Sequence, residues 1–417
     1  MEVKQGYASF EIEPFELFLC LVQGAKAMVK LPVYLDHNAT TPCDQRVVET
    51  MLPYFTQSFG NAASRTHQLG WAAEQAVEDA REQVAKLVEA ESKEIVFTSG
   101  ATEADNLALK GVFEMYAGKG NHIITTNIEH KAVLDTCHHI EKRGGDVTYL
   151  AVKSNGLIDL EELEAAIQPT TILIAIMYAN NEIGTIMPIK EIGAIAKKKG
   201  IIFFSDATQA VGKIPVNVME DGIDLMAFSA HKMYGPKGVG ALYIRRKNPR
   251  VKLAAQIDGG GHEKGVRSGT LNVPGIVGFG KACEICRNEM REESARLAKL
   301  RDRLQSALLK IEGSTVNGDI KNRLPHVTNM SFRYIDGEML MMGLNKNIAL
   351  SSGSACTSAV MEPSYVLKAL GVDDELAYGS LRFSLGRHTT EEEIDYAIEQ
   401  VTSTVNKLRA ESMAGKL

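Results

Sequence analysis

The segments Thr171-Ile172-Leu173-Ile174-Ala175-Ile176, Ile201-Ile202-Phe203-Phe204 and Leu225-Met226-Ala227-Phe228 are apolar at nearly every position. A strand with one wet face alternates apolar and polar residues. One that is apolar throughout must be covered on both faces, as in a mostly parallel sheet between two layers of helix. The surrounding chain fits this. From about 43 to 285, strand patterns at 94–97, 122–126, 146–152, 171–179, 201–206, 225–229 and 240–245 are expected. Helical patterns at 67–90, 102–112, 130–142, 159–167 and 188–199 separate the earlier ones. The expectation is an α/β sandwich with a mostly parallel seven-stranded sheet, binding its ligand at the strand carboxyl ends.

A long polar helix at about 275–311 leads into a different pattern. Strands at 326–332, 348–351 and 380–385 and helices at 337–344, 364–370 and 390–408 predict a smaller α+β domain. Thr390-x-x-Glu393 is a capping box for the last helix. The expected division is a large domain at 43–285, and a small one built from 28–42 and 286–417. Residues 1–27 lie outside the pattern and read as a nonessential extension.

Composition excludes several classes. A net charge of −6 leaves no electrostatic footprint for nucleic acid. No apolar run reaches the ~18–20 residues of a membrane span. The short run Phe15 to Val22 contains Glu16 and follows Glu11 and Glu13, so it makes a poor signal peptide. Six scattered cysteines suit a reducing cytoplasm better than a disulfide framework.

Two of the buried runs end in charge. One ends in Ser205-Asp206-Ala207-Thr208-Gln209, the next in Ser229-Ala230-His231-Lys232. Neighbouring strands would bring the acid and the lysine to one sheet edge. That pair is what a protein needs to hold pyridoxal 5'-phosphate, the lysine on its aldehyde and the acid on its pyridinium nitrogen. A lysine at a buried strand end is desolvated, which lowers its pKa and frees its amine as a nucleophile. Gln209 is placed to reach the ring's phenolic oxygen.

Thr98-Ser99-Gly100-Ala101-Thr102-Glu103 reads as strand, glycine turn and helix start. Backbone N–H groups there, with those of Ala101 and Thr102 and the Thr102 hydroxyl, can cradle a phosphate. Ser229 and His231 would close the cradle. His130 ends another strand, where it can stack on the ring and move protons. Either Asn180 or Asn181 should face the same pocket. Arg382 lies on an apolar strand, and its fork suits the carboxylate of an amino acid. Cys356 lies in Ser351-Ser352-Gly353-Ser354-Ala355-Cys356-Thr357-Ser358, a small polar segment expected to be a mobile loop that suits an attacking thiol. Cys283-x-x-Cys286 falls on the long helix without a second pair and reads as packing.

These motifs, with Tyr34-Leu35-Asp36-His37-Asn38-Ala39-Thr40-Thr41-Pro42, Glu129-His130-Lys131, Asn180-Asn181-Glu182-Ile183-Gly184, Gly259-Gly260-Gly261-His262-Glu263 and Arg267-Ser268-Gly269-Thr270, run collinearly from about 33 to 408. Together they resemble the cysteine desulfurases of the NifS/IscS group, in the class V aminotransferase family. The resemblance implies the pyridoxal-phosphate-dependent transferase fold type I. It implies a homodimer in which Thr270 reaches the neighbouring subunit's phosphate group. By the same resemblance Lys232 carries the cofactor, His130 stacks on it, and Asp206 and Gln209 hold its nitrogen and oxygen. Asn38, Asn181 and Arg382 orient L-cysteine, and Cys356 takes its sulfur as a persulfide, releasing alanine. The sulfur then passes to an iron–sulfur scaffold protein or another acceptor. The protein alone holds no metal in this reading, with Cys356 the candidate for a transient iron–sulfur ligand. The Cys356 segment resembles the long-loop group. The sequence ends at Leu417 without the C-terminal extension many members use to dock the scaffold. The alternatives on the same scaffold are a selenocysteine lyase, another class V aminotransferase, or an interaction protein that keeps the fold without the chemistry.

Overall fold

The computed structural model describes residues 29–352 and 363–414. Its first strand, β1 (Val33–Tyr34), pairs away from the main sheet. The main sheet is built from β2 (Ile95–Thr98), β3 (His122–Thr126), β4 (Asp146–Leu150), β5 (Thr171–Ala175), β6 (Ile202–Asp206), β7 (Leu225–Ser229) and β8 (Gly240–Ile244). Their spatial order is β2-β8-β7-β6-β5-β3-β4. The pairs β7–β6, β6–β5, β5–β3 and β3–β4 are parallel. Only β8 runs against its neighbours, β2 and β7.

Because side chains alternate along a strand, each apolar run feeds two cores. Phe203, Met226 and Phe228 face one core, which they share with helix α1 (Gln68–Leu87). Ile202, Phe204, Leu225 and Ala227 face the other, shared with α2 (Ala101–Met115) and α3 (Lys131–Glu141). Each such burial contributes roughly 1.5–3 kcal/mol, so neither face of these strands can be turned to water. Helix α4 (Ile189–Lys199) covers the first face through Ile189, Ile192 and Ala196. The strand expected at 171–179 leaves the regular ladder after Ala175, although Ile176 and Tyr178 still donate their N–H groups to Phe204 and Asp206.

Helix α5 (Val273–Leu308) serves two clusters. Phe279, Cys283 and Ile285 join the first core. Leu297, Leu300, Leu304 and Leu308 join a separate one with Val33, Leu35, Phe332, Leu381 and Phe383. That second cluster lies under β9 (Ser314–Asn317), β10 (Val327–Phe332), β12 (Ser351–Ser352) and β13 (Ser380–Ser384), which form an antiparallel sheet ordered β12-β13-β10-β9. The remaining strand, β11 (Ile348–Ala349), pairs in parallel with β1. Helices α6 (Gly337–Leu344) and α9 (Glu391–Ala414) pack on this second cluster, whereas α7 (Tyr365–Ala369) and α8 (Asp374–Tyr378) place Val366, Leu367 and Ala377 in the first core. The capping box forms before α9: Thr390 Oγ1 accepts from the Glu393 N–H at 3.2 Å, and the Thr390 N–H donates to Glu393 Oε2 at 3.0 Å. No described helix is long and apolar enough to cross a membrane.

Candidate active site

Strands β3, β5, β6 and β7 end at one edge of the sheet, and β2, two reversals from β7, ends there too. A cavity of about 690 Å³ opens at that edge. Its lining includes Ala101, Thr102, His130, Asn181, Asp206, Gln209, Ser229, His231 and Lys232, joined by Asn38 and Arg382 from outside the sheet. Thr270 is exposed and does not line this cavity. Cys356 lies outside the described residues.

The phosphate end is made by backbone. Helix α2 starts at Ala101 with no side-chain cap, so its first N–H groups are free to face an anion. A Cβ on Gly100 would point into open space. A Cβ on Gly240 would lie 2.7 Å from the Gly100 Cα and 2.8 Å from the Phe228 carbonyl oxygen. Glycine at 240 therefore lets β8 press directly on the turn and fix it. Glu103 sits in the first turn of α2, where its charge would oppose a phosphate. Arg267 Nε donates to it at 2.8 Å and the Ser99 N–H at 2.7 Å. Burial opposes ionisation, but these two partners prevail and hold the carboxyl below its usual range. The Ser229 hydroxyl lies 3.4 Å from the Val239 carbonyl oxygen, and His231 Nδ1 lies 3.1 Å from Thr40 Oγ1. Burial, with the charges of Lys232 and Lys237, pushes the His231 pKa down to about 4, so the ring is neutral.

Lys232 follows β7 on a short 3₁₀ turn. Burial, reinforced by the Arg382 charge, lowers its pKa to about 8, against the pull of Asp206 and Asp36. Its ammonium donates to the carbonyl oxygens of Asn38 and Ala39, the latter at 2.7 Å. With this pKa about a tenth of the amine is free at pH 7, whereas an ordinary lysine has less than a thousandth. The rate at which cofactor-free protein captures pyridoxal phosphate should therefore rise with pH, reach its midpoint near 8 and then level off. Stopped-flow absorbance measures it, and a rate still climbing at pH 10 would refute the lowered pKa.

Asp206 closes β6 and is 6% exposed. Its Oδ1 accepts the Thr208 N–H at 2.9 Å, which fixes the carboxylate in its turn. Gln209 Nε2 donates to the Asn38 carbonyl at 3.0 Å. His130 caps α3: the Ala132 N–H donates to its Nδ1 at 3.1 Å. A backbone N–H can only donate, so Nδ1 is the bare nitrogen and Nε2 carries the proton. Of the two asparagines after β5, Asn180 is consumed locally. Its amide donates to the Ile128 carbonyl and its oxygen accepts from the Glu182 and Ile183 N–H groups. Asn181 is the one that faces the cavity.

Arg382 enters from β13. Its Nη2 donates to Asp36 Oδ1 at 2.7 Å and Ser351 Oγ at 2.9 Å, and its Nη1 to the Asn181 carbonyl at 3.1 Å. Asn38 is held at both ends of its amide, with Nδ2 donating to the Asn181 carbonyl and Oδ1 accepting from His326 Nε2, each at 2.9 Å. Burial keeps His326 neutral. Asp36 and His326 are thus part of the site's frame, and sequence reasoning gave neither a role. Asp105 and Glu129 were missed as well. Asp105 left a readable signal, an acid within the apolar stripe Ala104, Leu107, Ala108 of α2.

Several lining residues hold buried polar atoms without a protein partner: Asn181 Oδ1, Thr208 Oγ1, Arg382 Nε and both carboxyl oxygens of Asp105. Buried polar groups are normally satisfied, so such a cluster marks a ligand site. The set fits pyridoxal phosphate: an uncapped helix start for its phosphate, Asp206 for its ring nitrogen, and Lys232 for its aldehyde.

Comparison with known proteins agrees with this arrangement. The family model for aminotransferase class-V matches residues 33–397. A cysteine desulfurase IscS of Mannheimia succiniciproducens is 59% identical over 383 residues, covering 91% of this chain and 94% of the relative. Its counterpart from Photorhabdus laumondii is 58% identical over the same shares. A solved NifS-like protein superposes with a TM-score of 0.85 at 41% identity, covering 91% of this chain and all of the other.

Proposed function

The chain belongs to the class-V aminotransferase family and is a pyridoxal-phosphate-dependent cysteine desulfurase; from that premise we propose which residues carry the reaction and how the molecule assembles. The observation that carries the residue assignment is the convergence of Lys232, Asp206 and Arg382 on one cavity beneath an uncapped helix start. When bound, the cofactor supplies an electron sink that loosens the bond between the β-carbon of cysteine and its sulfur. Lys232 holds the cofactor and, released as a free amine, moves protons on the substrate carbon. Asp206 holds the ring nitrogen and Gln209 the phenolic oxygen. His130 covers the ring. Arg382 takes the substrate carboxylate, while Asn38 and Asn181 keep that fork in place. The thiolate of Cys356 attacks the substrate sulfur: an S–S bond forms, the C–S bond breaks, and the carbon skeleton gains a proton and leaves as L-alanine.

The direct test is incubation with L-cysteine and a reductant, which should give alanine and sulfide in equal amounts. A keto acid without sulfide would point to transamination instead. Arg382→Lys should raise KM for cysteine roughly 10–100-fold, because an ammonium cannot reproduce the planar two-pronged grip. Steady-state kinetics checks it, and an unchanged KM would remove Arg382 from the substrate site.

We propose a homodimer. Leu52, Phe55, Phe59, Leu69 and Trp71 are 43–63% exposed within one stretch of chain, and exposed apolar side chains grouped this way support a protein partner. Thr270 is exposed, as a residue serving a neighbour's phosphate site must be. The proposed sulfur acceptor is an iron–sulfur scaffold protein. A cytoplasmic setting would keep Cys356 reduced.

A further inference from the structure

Asp105 is 1% exposed, yet neither of its carboxyl oxygens has a hydrogen-bond partner. It lines the floor of the cavity from α2, one turn after Thr102. One of its oxygens, a carboxylate oxygen of Asp206 and a ring nitrogen of His130 all lie within 4.8 Å of one another. Glu129, 1% exposed, is a further buried acid whose charge acts on Asp105. The groups that face this spot are thus Asp206 from β6, Glu129 and His130 from the end of β3, and Lys232 from the end of β7.

Two buried carboxyls as close as Asp105 and Asp206 do not both stay ionised without donors, and the charge of Glu129 adds to the strain. Their partners decide which one stays neutral. Glu129 Oε1 accepts from Thr126 Oγ1 at 2.8 Å and from the Met177 N–H at 2.9 Å, yet burial still pushes its pKa up to about 8, so two donors do not fully offset desolvation there. Asp206 accepts from the Thr208 N–H. Asp105 accepts from nothing, and a buried anion without a donor is the costliest arrangement of the three. Burial first, then the charges of Asp206 and Glu129, push its carboxyl well above the usual range.

We propose that Asp105 is a positioning residue: a neutral carboxylic acid whose O–H donates to Asp206, keeping Asp206 ionised and aimed at the ring nitrogen of the cofactor. A small side-chain rotation or one bridging water spans the gap. A hydrogen bond to the charged form of an acid favours that form, so Asp105 strengthens the partner of the ring nitrogen without adding a second negative charge. The proposal rests on the reading that Asp206 pairs with that nitrogen.

The test uses the full-length holoenzyme with Asp105→Asn, which keeps a neutral donor of similar shape, and Asp105→Leu, which keeps the volume and loses the donor. Three readouts apply: the infrared carbonyl stretch of a neutral carboxyl, the dissociation constant for pyridoxal phosphate, and the pH midpoint of the bound cofactor's visible band. The difference spectrum, wild type minus Asp105→Asn, should contain a neutral-carboxyl stretch, since Glu129 contributes equally to both and cancels. Asp105→Leu should weaken cofactor binding roughly tenfold or more and shift the pH midpoint. Asp105→Asn should stay within about twofold of wild type in binding. A difference spectrum without that stretch, Asp105→Asn behaving like Asp105→Leu, or Asp105→Leu behaving like wild type would each overturn the proposal. If Asp105→Leu does not fold, the infrared difference between wild type and Asp105→Asn still decides. Asp206→Asn separates the two readings. If it changes neither affinity nor band, the pairing of Asp206 with the ring fails; if it changes both while Asp105→Leu changes neither, only the role of Asp105 fails.

Discussion

Replacing Lys232 with Ala should abolish the visible absorption of the bound cofactor and lower cysteine turnover by at least ~10³-fold, with the fold intact. Two functions go at once: the covalent hold on the cofactor and the amine that moves protons, and removal of a group with either function alone costs orders of magnitude. The fold survives because Lys232 is not needed to satisfy the backbone it touches. Gln209 Nε2 still donates to the Asn38 carbonyl at 3.0 Å, and the Ala39 carbonyl can turn to water in the emptied cavity. Removing a buried ammonium also relieves a desolvation cost. Absorbance and thermal unfolding together check this. Turnover within tenfold of wild type, with the band retained, would displace Lys232 from its role.

Cys356→Ser should lower sulfide release by a similar factor while leaving the cofactor's band and its response to added cysteine in place. A hydroxyl has the shape of a thiol but cannot form the S–S bond that carries the sulfur away. Among the described residues no other thiol can substitute. Cys137, Cys283 and Cys286 are buried in the cores, with burial raising each pKa, that of Cys286 to about 11. Cys43 is half-buried, its pKa raised by burial and then by Asp44. None of the four lines the cavity. Cys43→Ser is therefore the matched control, with unchanged release. Wild-type release from Cys356→Ser would remove the persulfide step.

The sheet was readable because its central strands β5, β6 and β7 are apolar on both faces, a pattern that few other structures require. The site was readable where charge interrupts that pattern: Asp206 and Lys232 end buried strands, and Arg382 breaks one. Features made by partners distant in sequence were not readable. Asp36 gains its importance from Arg382, and His326 from Asn38, and neither pairing leaves a periodic signal. Strand β9, Ser-Thr-Val-Asn, has no apolar alternation and is a strand only because β10 offers it an edge. Helix α8 is one short turn whose cap, Asp373, reads equally well as a loop residue. Asn180 and Asn181 were equivalent as letters; only the turn after β5 separates the one that holds the backbone from the one that faces the ligand.

The cap that His130 places on α3 limits what that imidazole can do. Its one lone pair is committed to the Ala132 N–H, and its outward nitrogen already bears hydrogen. In this pose the ring can cover the cofactor and donate, but it has no free site at which to accept. To take up a proton it must release the helix, at a cost of about 1 kcal/mol. Using that nitrogen for chemistry would therefore loosen the first turn of α3, which ties the helix start to the state of the site.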